Sequence, residues 1–233
     1  MSDLLDHPIT KLRPPQHPDR LQLYSFPTPN GIKVSAMLEE TGLPYEAHTI
    51  SIMRDDQMTP EFLALNPNNK IPVIIDPDGP NGTLALFETG AILIYLGEKT
   101  GQFYPTAPEK RFEVTQWLMW QMGGLGPMLG QFGHFYKFAA DKVSDPYAKT
   151  RYTDEGKRLL KVLDGHLQDR EFVAAGEYTI ADIAIWPWIN VIAFYGGEEA
   201  LGLADLPNVV RYRDACLARP ASQAARNIPP RDG

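Results

Sequence analysis

Residues 66–89, NPNNKIPVIIDPDGPNGTLALFET, decide how the first half of the chain folds. Asn66-Pro67, an Asn68-Asn69-Lys70 turn and Ile71-Pro72 lead into the apolar run Val73-Ile74-Ile75. Residues 76–82 are dense in turn formers, 83–87 read as a returning strand, and Glu88-Thr89 opens an apolar helix over 91–96. The pattern predicts a β-hairpin that feeds a helix and is entered through an X-Pro bond. Two binding devices would lie side by side there. A cis Ile71-Pro72 bond would turn the backbone of Ile71 outward, where an extended peptide can pair with it as an added strand. The start of the next helix offers unpaired N–H groups near Thr89, a seat for a carboxylate. Taken alone, the same residues also fit a purely structural role, with Thr89 as a helix cap and Glu88 as a solvated first-turn acid.

Upstream of this stretch, 21–26 reads as a strand and Pro27-Thr28-Pro29-Asn30-Gly31 as a loop that stays non-helical until Pro29 has passed. Residues 32–41 read as a helix with Val34, Met37 and Leu38 inward, ended by Gly42. Residues 45–50 read as a second strand, and Thr59-Pro60-Glu61 as a short helix opening. The order over 21–101 is therefore β-α-β-α-β-β-α, which a mixed four-stranded sheet flanked by helices satisfies most simply. Residues 1–19 carry Pro8, Pro14, Pro15 and Pro18 and are expected to be an extended arm without a core of its own.

Downstream, 102–108 reads as a linker and 109–233 as all helix. A kink or break is expected near Pro127, inside the Gly123–Pro127 cluster. Residues 146–170 form a long helix with Leu159, Leu160, Val162, Leu163 and Leu167 inward. Thr179 and Asp182 form a capping box before the apolar run 183–194. A last helix over 206–218 is ended by Pro220. The expected organisation is an arm over 1–19, an α/β domain over 20–101, the linker, and a helical domain over 109–233.

The chain has 233 residues, 43% hydrophobic and 22% charged, the balance of an ordinary globular protein with room for two modest cores. Its net charge of −7 argues against nucleic acid and anionic membrane as partners. The single cysteine, Cys216, permits neither an intrachain disulfide nor a zinc cluster, and no metal is expected. The first residues lack the apolar core of a secretory signal, so a cytoplasmic location is expected.

A β-α-β-α-β-β-α half containing NKIPVI and FETGAILIYLGEKTG, followed by a helical half containing YTIADIAIWPW, resembles a glutathione transferase: an N-terminal thioredoxin-like domain and a C-terminal all-helical domain. FPTPNGIKV, PEFLALNPNNKIP and WLMWQMGGLGPMLGQ look like the nu-class, bacterial glutathione-dependent disulfide-bond reductase branch. The resemblance places Pro72 at the family's cis-proline and Glu88-Thr89 at its acid–hydroxyl pair. It implies glutathione as cofactor, reduced or oxidised and as two molecules per site, a small-molecule disulfide or electrophile as substrate, and a homodimer. It also implies that Ile71 pairs with the cysteinyl amide and that Glu88 and Thr89 hold the γ-glutamyl end. Gln57 and Lys70 would approach the glycyl end, and Arg151 would reach a carboxylate from the helical domain.

The chemistry centres on a thiol, whose reactive form is the thiolate. The hydroxyl of Thr28 and the amide of Asn30, just before the first helix of the α/β domain, are placed to donate to such a sulfur. Asn30 equally suits an N-cap, and Arg151 a solvated helix charge. No cysteine lies in the α/β domain, so redox chemistry there must use thiols of bound glutathione. Two rivals stand beside that reading. One is a conventional conjugating transferase with an electrophile pocket at Trp117, Met128 and Phe132; the other is a non-catalytic glutathione-binding module.

Overall fold

The computed structural model describes residues 4–231; residues 1–3 of the expected arm and 232–233 of the expected helical domain lie outside it. The arm is not extended. Leu4–Asp6 makes a 3₁₀ turn and Ile9–Leu12 a short helix, α1. Leu4 and Ile9, 1% and 0% exposed, enter an apolar cluster with Tyr24, Ile50, Phe62, Leu65, Val73 and Ile75. The prolines argued for an extended segment, but burying these side chains outweighs that preference. Arg13 ties the arm down, its Nε donating to the Thr49 carbonyl at 2.8 Å and its guanidinium pairing with Asp56 at 2.8 Å.

The predicted hairpin and sheet are present. β1 (Leu21–Ser25) runs parallel to β2 (Tyr45–Thr49) and antiparallel to β3 (Val73–Asp76), which pairs antiparallel with β4 (Leu84–Phe87). The sheet is four-stranded and mixed, in the order β2-β1-β3-β4.

α2 (Pro29–Thr41) begins earlier than the sequence suggested. Thr28 caps it by accepting from the Gly31 N–H at 3.2 Å, and Pro29 takes the first position, where a missing N–H does no harm. Gly31 is obligatory: a Cβ there would lie 1.9 Å from the Phe26 carbonyl oxygen. That contact lets the start of α2 press against the end of β1. Gly42 closes the helix at φ 67° as expected. α3 (Pro60–Leu63) is capped by Thr59, and α4 (Thr89–Thr100) follows the hairpin directly.

The second compact unit is Gly101–Arg219, and among the described residues it is wholly helical. α5 (Pro108–Trp120) is irregular near Pro127 as expected, but the irregularity is a wide turn and not a break. It widens into a π turn at Gln121–Leu125, continues as α6 (Gly126–Gly133), and widens again at His134–Phe138. The first wide turn falls just ahead of Pro127, where the ring would otherwise crowd the carbonyl of the preceding turn. α7 (Tyr147–His166) buries Leu159, Leu160 and Leu163, while Val162 is 42% exposed because it lies off that stripe. α8 (Ile180–Tyr195) is the buried central helix. Its Asp182 carboxylate accepts from the N–H groups of Thr179 and Val173 at 2.8 and 3.0 Å, and from the hydroxyls of Thr179 and Tyr212 at 3.1 Å. Burial still pushes its pKa up to about 6. The short α9 (Glu198–Leu201) and then α10 (Pro207–Leu217) follow.

Pro220 does not simply end the last helix. It opens α11 (Pro220–Ala225), which packs on α2, so the described residues from Pro220 on belong to the first unit. Thr49 and Ser35 fasten this tail, their hydroxyls donating to the carbonyls of Pro230 at 2.8 Å and Ile228 at 3.0 Å. The expected helical domain over 109–233 therefore loses its tail to the α/β unit. No helix among the described residues is long and apolar enough to cross a membrane.

Candidate functional site

Strand register assembles the site. Tyr24 pairs with Val73, and Val73 with Phe87, so the segments that follow β1, precede β3 and follow β4 come together at one end of the strands. A cavity of ≈ 150 Å³ opens there, lined by Asn30, Asn66, Lys70, Ile71, Pro72, Glu88 and Thr89. The Ile71-Pro72 bond is cis. Glu88 holds φ at 73°, a backbone region that a non-glycine residue occupies at some energetic cost, and its carbonyl accepts from the Ile92 N–H at 2.9 Å to start α4. Its side chain is exposed, whereas Thr89 is 6% exposed.

Thr28 is absent from the lining and sits at the cap of α2, two residues before Asn30. Capping uses a lone pair of its hydroxyl and leaves the hydroxyl hydrogen able to donate. Asn30 is not the cap: Thr28 takes that place, and Asn30 falls inside the first turn, facing the cavity.

Two lining or supporting residues escaped the sequence reading. Asn66 is 2% exposed; its amide donates to the Lys70 carbonyl at 2.8 Å and accepts from the Asn68 N–H at 2.9 Å, bracing the turn into Ile71. The Asn-Pro-Asn-Asn run was a signal for such an Asx turn. Lys33 is 1% exposed, and its Nζ donates to Thr89 Oγ1 at 3.4 Å. Burial lowers its pKa from 10.5 to about 7, against the attraction of Glu88.

Gln57, Arg151 and the residues of the expected electrophile pocket are not part of that lining. Gln57 occupies a separate 3₁₀ turn, Asp56–Met58; its Nε2 donates to Asp55 at 3.4 Å, and its buried Oε1 accepts no hydrogen bond among the described residues. Arg151 is exposed on α7 and lines a second cavity of ≈ 390 Å³, within the helical unit, with Met128, Tyr147 and Tyr152. The expected electrophile pocket at Trp117, Met128 and Phe132 does not form as such. Phe132 is 0% exposed against Tyr136, and Trp117, 9% exposed, packs on His166. Of the three, Met128 lines the ≈ 390 Å³ cavity, while the two aromatic side chains help to fill the core. Tyr24 is 0% exposed and stacks on His48 at 4.7 Å, which keeps its hydroxyl away from any ligand.

A thioredoxin-like sheet with a cis-proline cavity, followed in the chain by an all-helical unit, is the architecture of a glutathione transferase. Family comparison gives the same result in both halves. Residues 28–99 match the glutathione S-transferase N-terminal domain and residues 125–220 the C-terminal domain. The chain belongs to the glutathione S-transferase family of enzymes. It is 43% identical to the disulfide-bond oxidoreductase YfcG of Escherichia coli over 207 residues, 88% of this chain and 94% of the relative. It is 45% identical to YghU of the same organism over 222 residues, 91% of this chain and 75% of the relative. Among solved structures, a Burkholderia graminis glutathione transferase with two glutathione molecules bound per subunit superposes with a TM-score of 0.95 at 55% identity, covering 98% of this chain and 96% of the other. A Pseudomonas putida glutathione transferase with one glutathione disulfide bound per subunit gives a TM-score of 0.95 at 52% identity, covering 98% and 100%.

Proposed function

We propose that this protein is a glutathione-dependent disulfide-bond oxidoreductase of the nu-class type, with glutathione transferase activity, that works through thiols of bound glutathione and none of its own. One observation carries the reading. The sole cysteine, Cys216, is 0% exposed on α10 of the helical unit, while the cis-proline cavity of the α/β unit presents amide, hydroxyl and ammonium groups and one carboxylate, Glu88. Such a lining suits a small peptide-like anion and supplies no protein thiol.

In this proposal the backbone of Ile71, held beside Pro72, pairs with the cysteinyl amide as an added strand. Thr89, with the N–H groups of Glu88 and Thr89, holds the γ-glutamyl carboxylate, and the Glu88 carboxylate takes the α-amino group. Lys70 and Gln57 serve the glycyl end. Thr28 and Asn30 donate to the sulfur, and each unit by which they lower a thiol pKa of about 8.5 requires about 1.4 kcal/mol of thiolate preference. Glutathione supplies the electrons: two thiols become one glutathione disulfide as the substrate disulfide takes up two electrons and two protons. The relatives bearing disulfide-bond oxidoreductase names, and the structures with a glutathione pair or its disulfide, support this reading over simple conjugation. A cytoplasmic homodimer belongs to the same proposal, since glutathione is kept reduced in that compartment.

Calorimetry with reduced and oxidised glutathione should show uptake of both. Hydroxyethyl disulfide should turn over faster than a chloronitroaromatic, and Cys216→Ser should retain full disulfide-reducing activity. Loss of that activity in a folded Cys216→Ser protein would overturn the borrowed-thiol scheme, and light scattering of the pure protein tests the dimer.

A further inference from the structure

We propose that Lys33 is a positioning residue of this site, its buried ammonium acting through the Thr89 hydroxyl as counter-charge to the carboxylate bound at the start of α4 and gaining a proton when that carboxylate arrives. The inference rests on the glutathione reading above and deepens it. Lys33 lies one turn beyond Asn30 on α2, is 1% exposed, and reaches Thr89 Oγ1 at 3.4 Å. Asn30, Glu88 and Thr89 all line the cavity, so the lysine stands behind the wall that would meet the carboxylate.

An ammonium so enclosed is held at a disadvantage, and burial brings its pKa down to about 7, with Glu88 the nearby charge opposing the shift. Other described charged groups lie on the elements around it, Lys70 among them on the cavity wall. α11, PASQAA, carries no titratable residue; in the tail that follows it, Arg226 comes next and Arg231 donates to the Pro27 carbonyl at 3.5 Å. On α4, Lys99 and Tyr95 are engaged with Asp76, and Glu98 lies beside them in the last turn. On α2 itself, Glu39 and Glu40 sit at the opposite end, where Glu39 accepts from the Tyr45 hydroxyl. Near neutral pH the free protein therefore holds Lys33 divided between amine and ammonium. A carboxylate seated beside Thr89 adds a negative charge on the side facing the lysine, and the amine takes one proton from solvent to become the ammonium. The sign follows: uptake vanishes well below pH 7, where Lys33 is already charged, is greatest between the free and the raised bound pKa, and vanishes again well above the latter, where Lys33 is neutral in both states.

The probe is S-methylglutathione, which has no thiol to ionise, titrated by calorimetry in two buffers of different ionisation enthalpy. At pH 7 wild type should take up about half a proton per molecule bound, falling to none at pH 5.5. Lys33→Met should bind about tenfold more weakly, equivalent to one pKa unit of coupling, and lose that uptake. Binding by wild type with no uptake at pH 7, or with uptake equal to that of Lys33→Met, overturns the role of Lys33 and leaves the site standing. The pH profile of wild type alone decides the matter should the variant fail to fold. No binding of either S-methylglutathione or glutathione to wild type sinks the glutathione reading and this inference with it.

Discussion

Thr28 and Asn30 stand two residues apart but contribute differently. The Thr28 hydroxyl already serves α2 as its cap, so replacing it would disturb the helix start and the site together. Asn30 is the cleaner probe, because it faces the cavity and the capping role is filled by Thr28. Asn30→Ala should keep the wild-type unfolding midpoint within experimental error while lowering disulfide turnover at least about tenfold, the loss of one charge-assisted donor to the thiolate. Unchanged turnover in the folded variant would remove Asn30 from the mechanism. Asn30, Glu88 and Thr89 were all readable in the sequence because each sits at a helix start that its own neighbours define. Lys33 was not. A lysine beside Val34 on an amphipathic helix reads as a surface charge, and only packing encloses it.

At the scale of elements, the capping box of α8 joins more of the helical unit than a local motif would require. Asp182 caps its own helix through Thr179 and also accepts from Val173 ahead of it and from Tyr212 on α10. Asp182→Ala would leave these buried donors without an acceptor, so a loss of about 3 kcal/mol or more is expected in urea unfolding at pH 7. Thr179→Ala, which removes one hydroxyl, should lose about 1 kcal/mol. The box was legible because its residues are three apart; the reach to Tyr212, thirty residues on, was not. The same holds for the helix through Pro127. The proline announced an interruption, but its form as a wide turn at Gln121–Leu125 depended on the packing around Gly126, where a Cβ would meet the Gln121 side chain at 2.5 Å.

At the scale of the whole molecule, the α/β unit is finished by both ends of the chain. The arm supplies Leu4 and Ile9 to its core, and α11 with the tail covers α2, the helix that carries Asn30 and Lys33. Ending the chain at Arg219 should therefore uncover α2 and remove the partners of Ser35 and Thr49. The truncated protein should unfold at a lower urea concentration and bind glutathione more weakly, even though residues 220–231 line no part of the cavity. Full-length stability and affinity in the truncated form would show the tail to be dispensable.

By itself the amino-acid order settled the local events: the hairpin over 73–87, the caps at Thr59 and Thr179, the glycine stops, and the absence of a thiol from the α/β unit. These depend on groups a few residues apart, whose chemistry the chain's neighbours dictate. Tertiary structure decided that the proline-rich arm would be buried, that the tail would return to the first unit, and that a lysine would lie behind Thr89, fifty-six residues away. Those outcomes turn on strand register and on which apolar faces exclude water together, and no local pattern encodes either one.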